Sequence, residues 1–173
     1  MSVRKAAFDP VVGPGTRVLI LGSLPGDASL AAGQYYANPR NRFWHLLGAV
    51  IERPDLPELA YEQRLAVVLA AGIGLWDAAS SAERVGSLDS AIRLAEPAAL
   101  AELTASLPQL AAVACNGKAS SKIARPMLAG IDCALIDLPS SSPANAAISF
   151  AQKREIWLEL RHFLGSALAF TRQ

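Results

Sequence analysis

Residues 33–44, GQYYANPRNRFW, gather side chains that are an odd choice for joining a strand to a helix. Tyr35 and Tyr36 stand side by side in a polar, basic stretch. Tyrosines so placed offer faces on which a nucleobase stacks, and stacking tolerates different bases because each has a π-face. Asn38 and Asn41 each bring a paired donor and acceptor, while Arg40 and Arg42 bring charge that suits phosphate. The same residues also read as an ordered surface loop whose tyrosines cover a sheet edge, with Phe43 and Trp44 in the core.

Residues 22–27, GSLPGD, directly follow an apolar run. Their two glycines permit positive φ or close approach to a ligand, and Pro25 restrains the turn. The loop lacks the Lys-Ser/Thr pair of a Walker A loop and the GxGxxG spacing of a dinucleotide fingerprint. It can also be no more than a turn. Asp77 closes a second apolar run, where it could accept from a ligand, cap a helix or pair with Arg84. Asp89 is placed to cap residues 89–95. Asn116 and Lys118 flank Gly117 in a tight turn that suits phosphate contact or loop bracing. Lys118 is the one lysine placed to act as a Schiff-base nucleophile. His45 and His162 fall on helical stretches and read as structural or surface groups.

Regular elements must bring these loops together. Four short apolar runs, residues 17–22, 72–77, 110–117 and 133–139, have strand length, and three end in Gly or Pro. Between them apolar residues recur at helical spacing, with Phe43, Leu46, Leu47, Val50 and Ile51 on one face. Pro57 and Glu58 are expected to open a second helix that Gly72 closes. Pro97 starts another, Ser120 or Ser121 is expected to cap residues 121–129, and Ser149 to cap residues 150–164. Pro126 must kink or shorten its helix. Apolar strands with little period-2 alternation, interleaved with helices, indicate a parallel sheet covered on both faces. The expected fold class is α/β, a three-layer αβα sandwich with a central four-stranded, mostly parallel sheet. One domain of residues 1–173 is expected, with its core at about 17–165. In such folds ligands bind at the carboxyl ends of the strands, which here carry the GSLPGD, LWDAAS, CNGKAS and LPSSSP segments.

With 173 residues, 52% of them hydrophobic, the chain can bury a full core. No apolar run reaches the roughly 18 residues of a membrane span. The residues before Pro10 lack the apolar stretch of a signal peptide. A cytoplasmic, nucleoid-associated protein with no membrane partner is expected. Cys115 and Cys133 sit in apolar runs and read as buried free thiols, with no disulfide framework or zinc site around them. Neither a metal nor a cofactor is expected. Net charge is only +1, which excludes a global polycation. The basic residues are local, Arg40 with Arg42 and Lys118 with Lys122 and Arg125. Local patches on a near-neutral protein suit an enzyme that binds DNA and releases it, although scattered surface charge would look similar.

Taken in order, these segments carry a resemblance. Gly-x-x-Pro-Gly at residues 22–26, Tyr-Tyr-Ala-x-Pro-Arg-Asn-x-Phe-Trp at 35–44 and LPSSSPANA at 138–146 resemble motifs of the uracil-DNA glycosylase superfamily. The chain is most similar to its hypoxanthine-DNA glycosylase (DNA-deoxyinosine glycosylase) family, whose GLWD, GSLDSAI and CNGK segments match residues 74–77, 86–92 and 115–118. The resemblance spans roughly residues 17–165.

It implies roles for particular residues. Asn41 is the catalytic side chain and Tyr36 stacks on a flipped base. Ser23, Leu24, Pro25, Gly26 and Asp27 hold that base through the loop backbone, with Asp77 and Asn116 at its edge. Asp77 would accept the ring N1–H of hypoxanthine. Arg40, Arg42 and Lys118 take DNA phosphates. Ser141, Ser142 and Pro143 fill the vacated space in the duplex, Ser140 is a further DNA contact, and Asn145 bonds the DNA backbone or the widowed base. Leu24 stands where several branches carry a water-positioning Asn or Asp, and Leu138 where they carry a His or Asn for the leaving base. Asn38 stands where relatives commonly have His. Side-chain chemistry therefore shifts to Asn41, and the substrate away from uracil. The implied protein is a monomeric, monofunctional DNA glycosylase that hydrolyses deoxyinosine in double-stranded DNA, with single-stranded DNA a further substrate, and initiates base excision repair. Open alternatives are removal of uracil, xanthine or another mismatched or deaminated base, a non-catalytic lesion-binding module, and an enzyme or sensor for free nucleotides.

Overall fold

Every position is buried along the strand that organises the molecule, β2 (Val18–Gly22). Val18 and Ile20 enter one apolar cluster, and Leu19 and Leu21 enter another on the opposite side. Successive side chains of a strand point to opposite faces, so a strand apolar at every position must be covered twice. The computed structural model describes residues 3–84 and 93–165 and supplies both covers. On the Val18/Ile20 side lie α2 (Phe43–Val50), α3 (Tyr61–Ala70) and α6 (Phe150–Trp157). On the Leu19/Leu21 side lie α4 (Leu100–Ala105) and α5 (Lys118–Met127). The short helices α1 (Asp27–Ala32) and α7 (Arg161–Leu164) complete the set.

The central sheet has the order β3-β2-β6-β7, where β3 is Ile73–Asp77, β6 Ala112–Asn116 and β7 Ala134–Leu138. All three pairings are parallel. This is the α/β three-layer sandwich with four parallel strands that the apolar runs imply. The chain leaves β2 toward β3 on one side and returns to β6 on the other, so the order reverses between β2 and β6. Ligand crevices form at such switch points. Register puts Gly22 opposite Asp77 and Asn116 opposite Leu138, at the same edge of the sheet.

Several local expectations change. A second, antiparallel sheet is formed by β1 (Val3–Ala6), β4 (Ala79–Arg84) and β5 (Arg93–Pro97), in the order β1-β4-β5. Pro57 and Glu58 lie in a 3₁₀ turn (Leu56–Glu58), and α3 begins only at Tyr61. The region with Ser120 and Ser121 is helical from Lys118 on, directly after Gly117 at φ 97°. Ser120 is instead fully buried, and its hydroxyl donates to the Leu21 carbonyl at 2.7 Å. Pro126 shortens α5, which ends one residue later. Ser149 caps α6 as expected: its hydroxyl accepts the Gln152 N–H at 3.2 Å, and Gln152 returns an acceptor to the Ser149 N–H at 2.8 Å. The Asp89 cap lies outside the described residues, as does the side chain of Arg84. No described helix is long and apolar enough to cross a membrane.

Candidate active site

The strand ends Gly22, Asp77 and Asn116 border a cavity of about 220 Å³ at the switch point. Gly22 is where a side chain is impossible. A Cβ there would stand 2.6 Å from Asp77 Oδ1 and 2.9 Å from the Tyr36 hydroxyl, so both groups close over bare backbone. Asp77 is 3% exposed. Tyr36 sits at φ 54°, a left-handed conformation uncommon for an aromatic residue. Its ring stacks on fully buried Phe43 with centroids 3.7 Å apart and planes 12° off parallel. Tyr36 also lines the cavity, and such strain concentrates at functional sites. The segment is tied to α1 by Ser29, whose hydroxyl accepts the Ala37 N–H at 3.1 Å.

Asn116 spends its polar capacity inside the protein. Its Oδ1 accepts the Ser141 N–H at 3.0 Å, and its Nδ2 donates to Ser141 Oγ at 2.9 Å and to the Tyr36 hydroxyl at 3.3 Å. Both amide hydrogens are thus committed, and Asn116 fastens the tyrosine wall to the 138–146 loop. Asn41 is different. Its Oδ1 accepts the Phe43 N–H at 3.0 Å, which fixes the amide at the start of α2 and leaves Nδ2 as a donor on a cavity-lining residue. A backbone N–H demands an acceptor, so this orientation of the amide is set by chemistry. Asn38 makes a similar local turn, accepting the Arg40 N–H at 2.9 Å.

Around these groups the cavity is lined by Ser23, Leu24, Pro25, Gly26, Ser29 and Tyr35 on one side. Ser140, Ser141, Ser142, Pro143 and Ala144 line the other. Buried Tyr35 donates its hydroxyl to the Asp9 carbonyl at 2.9 Å, and burial, with Asp77 nearby, pushes its phenol far above the ordinary tyrosine value. It is a neutral wall. Leu24 packs on Ala79, and Leu138 joins the core.

The remaining sequence candidates lie elsewhere. Asp27 is exposed at the start of α1, outside the cavity lining, and Lys5 Nζ of β1 donates to its Oδ1. Arg40, Arg42 and Lys118 are exposed and outside the lining too, with the Arg42 guanidinium 4.5 Å from the centre of the Phe150 ring. Ser141 is 1% exposed, whereas Pro143 and Ala144 are exposed and Ser142 half-buried. Asn145 is half-buried outside the lining, and its carbonyl accepts from Lys153 Nζ at 2.8 Å. His45 is exposed and outside the lining, its imidazole held below the ordinary histidine value by partial burial and then by Arg42 and Arg64. Burial pushes the Cys115 thiol up to about 11, which disqualifies it as a nucleophile near neutral pH. Sequence reasoning gave Gly22 its close approach but missed Ser29 and Lys153. Only Lys153 carried a legible signal, a lysine four residues before Trp157 and so on its helix face.

The cavity supplies an aromatic face, a carboxylate and an amide donor, a set suited to the flat, polar edge of a heterocycle. Among the described residues no three His, Cys, Asp or Glu side chains group as metal ligands would. The family model of the uracil DNA glycosylase superfamily matches residues 10–161. The chain belongs to the uracil DNA glycosylase superfamily. It is a DNA glycosylase, a hydrolytic N-glycosylase whose substrate is DNA. Two relatives named hypoxanthine DNA glycosylase, from Methanosarcina barkeri and Methanosarcina acetivorans, are each 38% identical to it. They align over 91% of this glycosylase and over 98% and 99% of their own lengths. It is also similar to the solution NMR structure of a Methanosarcina acetivorans protein provisionally named a uracil DNA glycosylase. That match has a TM-score of 0.82 and 37% identity, covering 93% of this chain and 99% of that one.

Proposed function

We propose that this glycosylase acts as a monomer, removes hypoxanthine from deoxyinosine in double-stranded DNA by simple hydrolysis, and so initiates base excision repair in the cytoplasm. The observation that carries the reading is the convergence of Tyr36, Asp77 and Asn41 on one cavity beside the exposed Pro143–Ala144 tip. The names of the two Methanosarcina relatives support the choice of base.

Inside a duplex the target bond is out of reach, so the nucleotide must swing out, at a cost of a few kcal/mol. Ser142 and Pro143 would fill the gap, while Arg40, Arg42 and Lys118 hold phosphates. The base would lie against Tyr36. The Asp77 carboxylate would accept the N1–H of hypoxanthine, a donor that the edge of adenine lacks. As the C1′–N9 bond breaks, its electron pair leaves with the base, and the sugar becomes oxocarbenium-like. The Asn41 Nδ2 donor and backbone N–H groups of Ser23, Leu24 and Gly26 would stabilise charge on the departing base. A water oxygen bonds C1′, and the proton it loses balances the one the base acquires. A Schiff-base route would need an amine in the cavity, and among the described residues no lysine lines it.

The test is incubation with duplex oligonucleotides carrying one deoxyinosine, deoxyuridine or deoxyxanthosine, then alkaline cleavage of abasic sites. Strand scission at deoxyinosine above the other two is expected. Scission at deoxyuridine alone would transfer the assignment to uracil, and none at all would leave a lesion-binding module.

A further inference from the structure

Lys153 of α6 is 5% exposed, and among the described residues no acidic side chain pairs with it. Burial lowers the affinity of its amine for a proton. Enclosing an ammonium without a counter-ion is unfavourable, and a methionine would fill similar space without that cost. The bond this group makes is therefore informative: Nζ donates to the Asn145 carbonyl at 2.8 Å.

One helical turn later, fully buried Trp157 donates its Nε1 to the Pro139 carbonyl at 3.0 Å. Positions four apart share a helix face, so α6 grips both ends of the 139–145 loop from one side. Between the anchors the loop closes on itself. Ser142 N–H donates to Ser140 Oγ at 3.1 Å, and Asn145 N–H donates to the Ser142 carbonyl at 3.1 Å. Asn116 holds its back through Ser141. Pro143 and Ala144 are left outward at the rim of the cavity.

We propose that Lys153 is a positioning residue for base extrusion, presetting the Ser142–Ala144 tip as a stiff wedge without touching base or sugar. The proposal rests on the glycosylase reading above. A hydrogen bond from an ammonium is roughly twice as strong as a neutral one. It resists the sideways load when a duplex is pushed apart, which a packed methionine would not.

The experiment compares single-turnover excision by wild type, Lys153→Met and Lys153→Arg on deoxyinosine in a single strand and in a duplex opposite cytosine. Only the duplex demands extrusion. Lys153→Met is expected to lose about tenfold or more on the duplex, since small misplacements of positioning groups carry penalties of this size, while staying close to wild type on the single strand. Lys153→Arg, which keeps a cationic donor, should recover part of the loss. In the duplex, 2-aminopurine beside the lesion should show a smaller extrusion signal for Lys153→Met. Equal losses on both substrates, or full duplex activity, would overturn the proposal. If Lys153→Met does not fold by circular dichroism, Trp157→Phe keeps a ring but removes the other anchor's donor, and the same duplex-only loss is expected. The functional reading fails separately, through a wild-type protein inactive on deoxyinosine in both contexts. If the wild type excises another deaminated base, the comparison is made on that base with the same expectations.

Discussion

Asn41 shows how a single capping bond dictates chemistry. With Oδ1 turned to the Phe43 N–H, the residue keeps its proton-bearing nitrogen as a donor on the cavity lining. Asn41→Asp keeps the acceptor that starts α2 and removes the donor. It is expected to melt near the wild-type temperature yet lose roughly 10²-fold or more in single-turnover excision, the scale of one preorganised donor. Undiminished turnover would remove Asn41 from the reaction. Gly22→Ala makes a steric test of the same cavity, since its methyl would lie 2.6 Å from Asp77 Oδ1 and 2.9 Å from the Tyr36 hydroxyl. Excision should collapse while duplex affinity, read by fluorescence anisotropy, changes little. Residue types and spacing brought out the pairs Tyr35–Tyr36 and Asn38–Asn41 and left Asp77 open, because unusual polar groups beside apolar runs are visible without a fold, and the family resemblance chose Tyr36, Asn41 and Asp77 among them. They could not separate Asn116 from this group, since its partners Tyr36 and Ser141 are 80 and 25 residues away.

Elements position these groups through a few tight joints. Gly117, at φ 97°, turns the chain from β6 into α5 with a would-be Cβ 3.0 Å from that of Ser140. Gly117→Ala should therefore cost about 1–3 kcal/mol, the usual range for imposed backbone strain, measurable as a lower urea midpoint. A second joint fixes α5 to β7. Asp137 accepts from the Ser121 hydroxyl at 2.7 Å and pairs with Arg125 at 3.0 Å. The Ser121 bond, and after it Arg125, holds the Asp137 carboxyl below its ordinary value. The native state then binds fewer protons than the unfolded chain. The tie stabilises the fold above that ordinary value and fades as pH falls through the lowered one. Thermal melts of wild type and Asp137→Asn should differ slightly at neutral pH and converge in acid, the effect being small because both partners are partly exposed. Four strands were legible because each is apolar at consecutive positions, as a doubly covered sheet requires. The strands β1, β4 and β5 were not. VRKA, ASSAER and RLAEP have neither apolar runs nor clean alternation, and β1 finds its partner β4 more than seventy residues away.

At the scale of the whole molecule, a net charge of +1 leaves DNA attraction to local groups. Each phosphate neutralised contributes about 0.9 to the slope of log affinity against log salt. Replacing Arg40, Arg42 and Lys118 together by Gln should flatten that slope by up to roughly 2.7 if all three engage phosphates, and isotherms between low and moderate salt would measure it. An unchanged slope would move the phosphate contacts elsewhere. The row of strand ends also bears on how such a molecule changes over generations. Gly22 lies opposite Asp77, and Asn116 opposite Leu138, across a sheet whose interior is already filled. Of these four, Gly22 has no space for a side chain, Asn116 is tied to its neighbours and Leu138 belongs to the core. On the reading proposed above, Asp77→Asn, one codon change away and nearly the same size, would put an amide where the carboxylate lines the cavity, so base preference would drift there first.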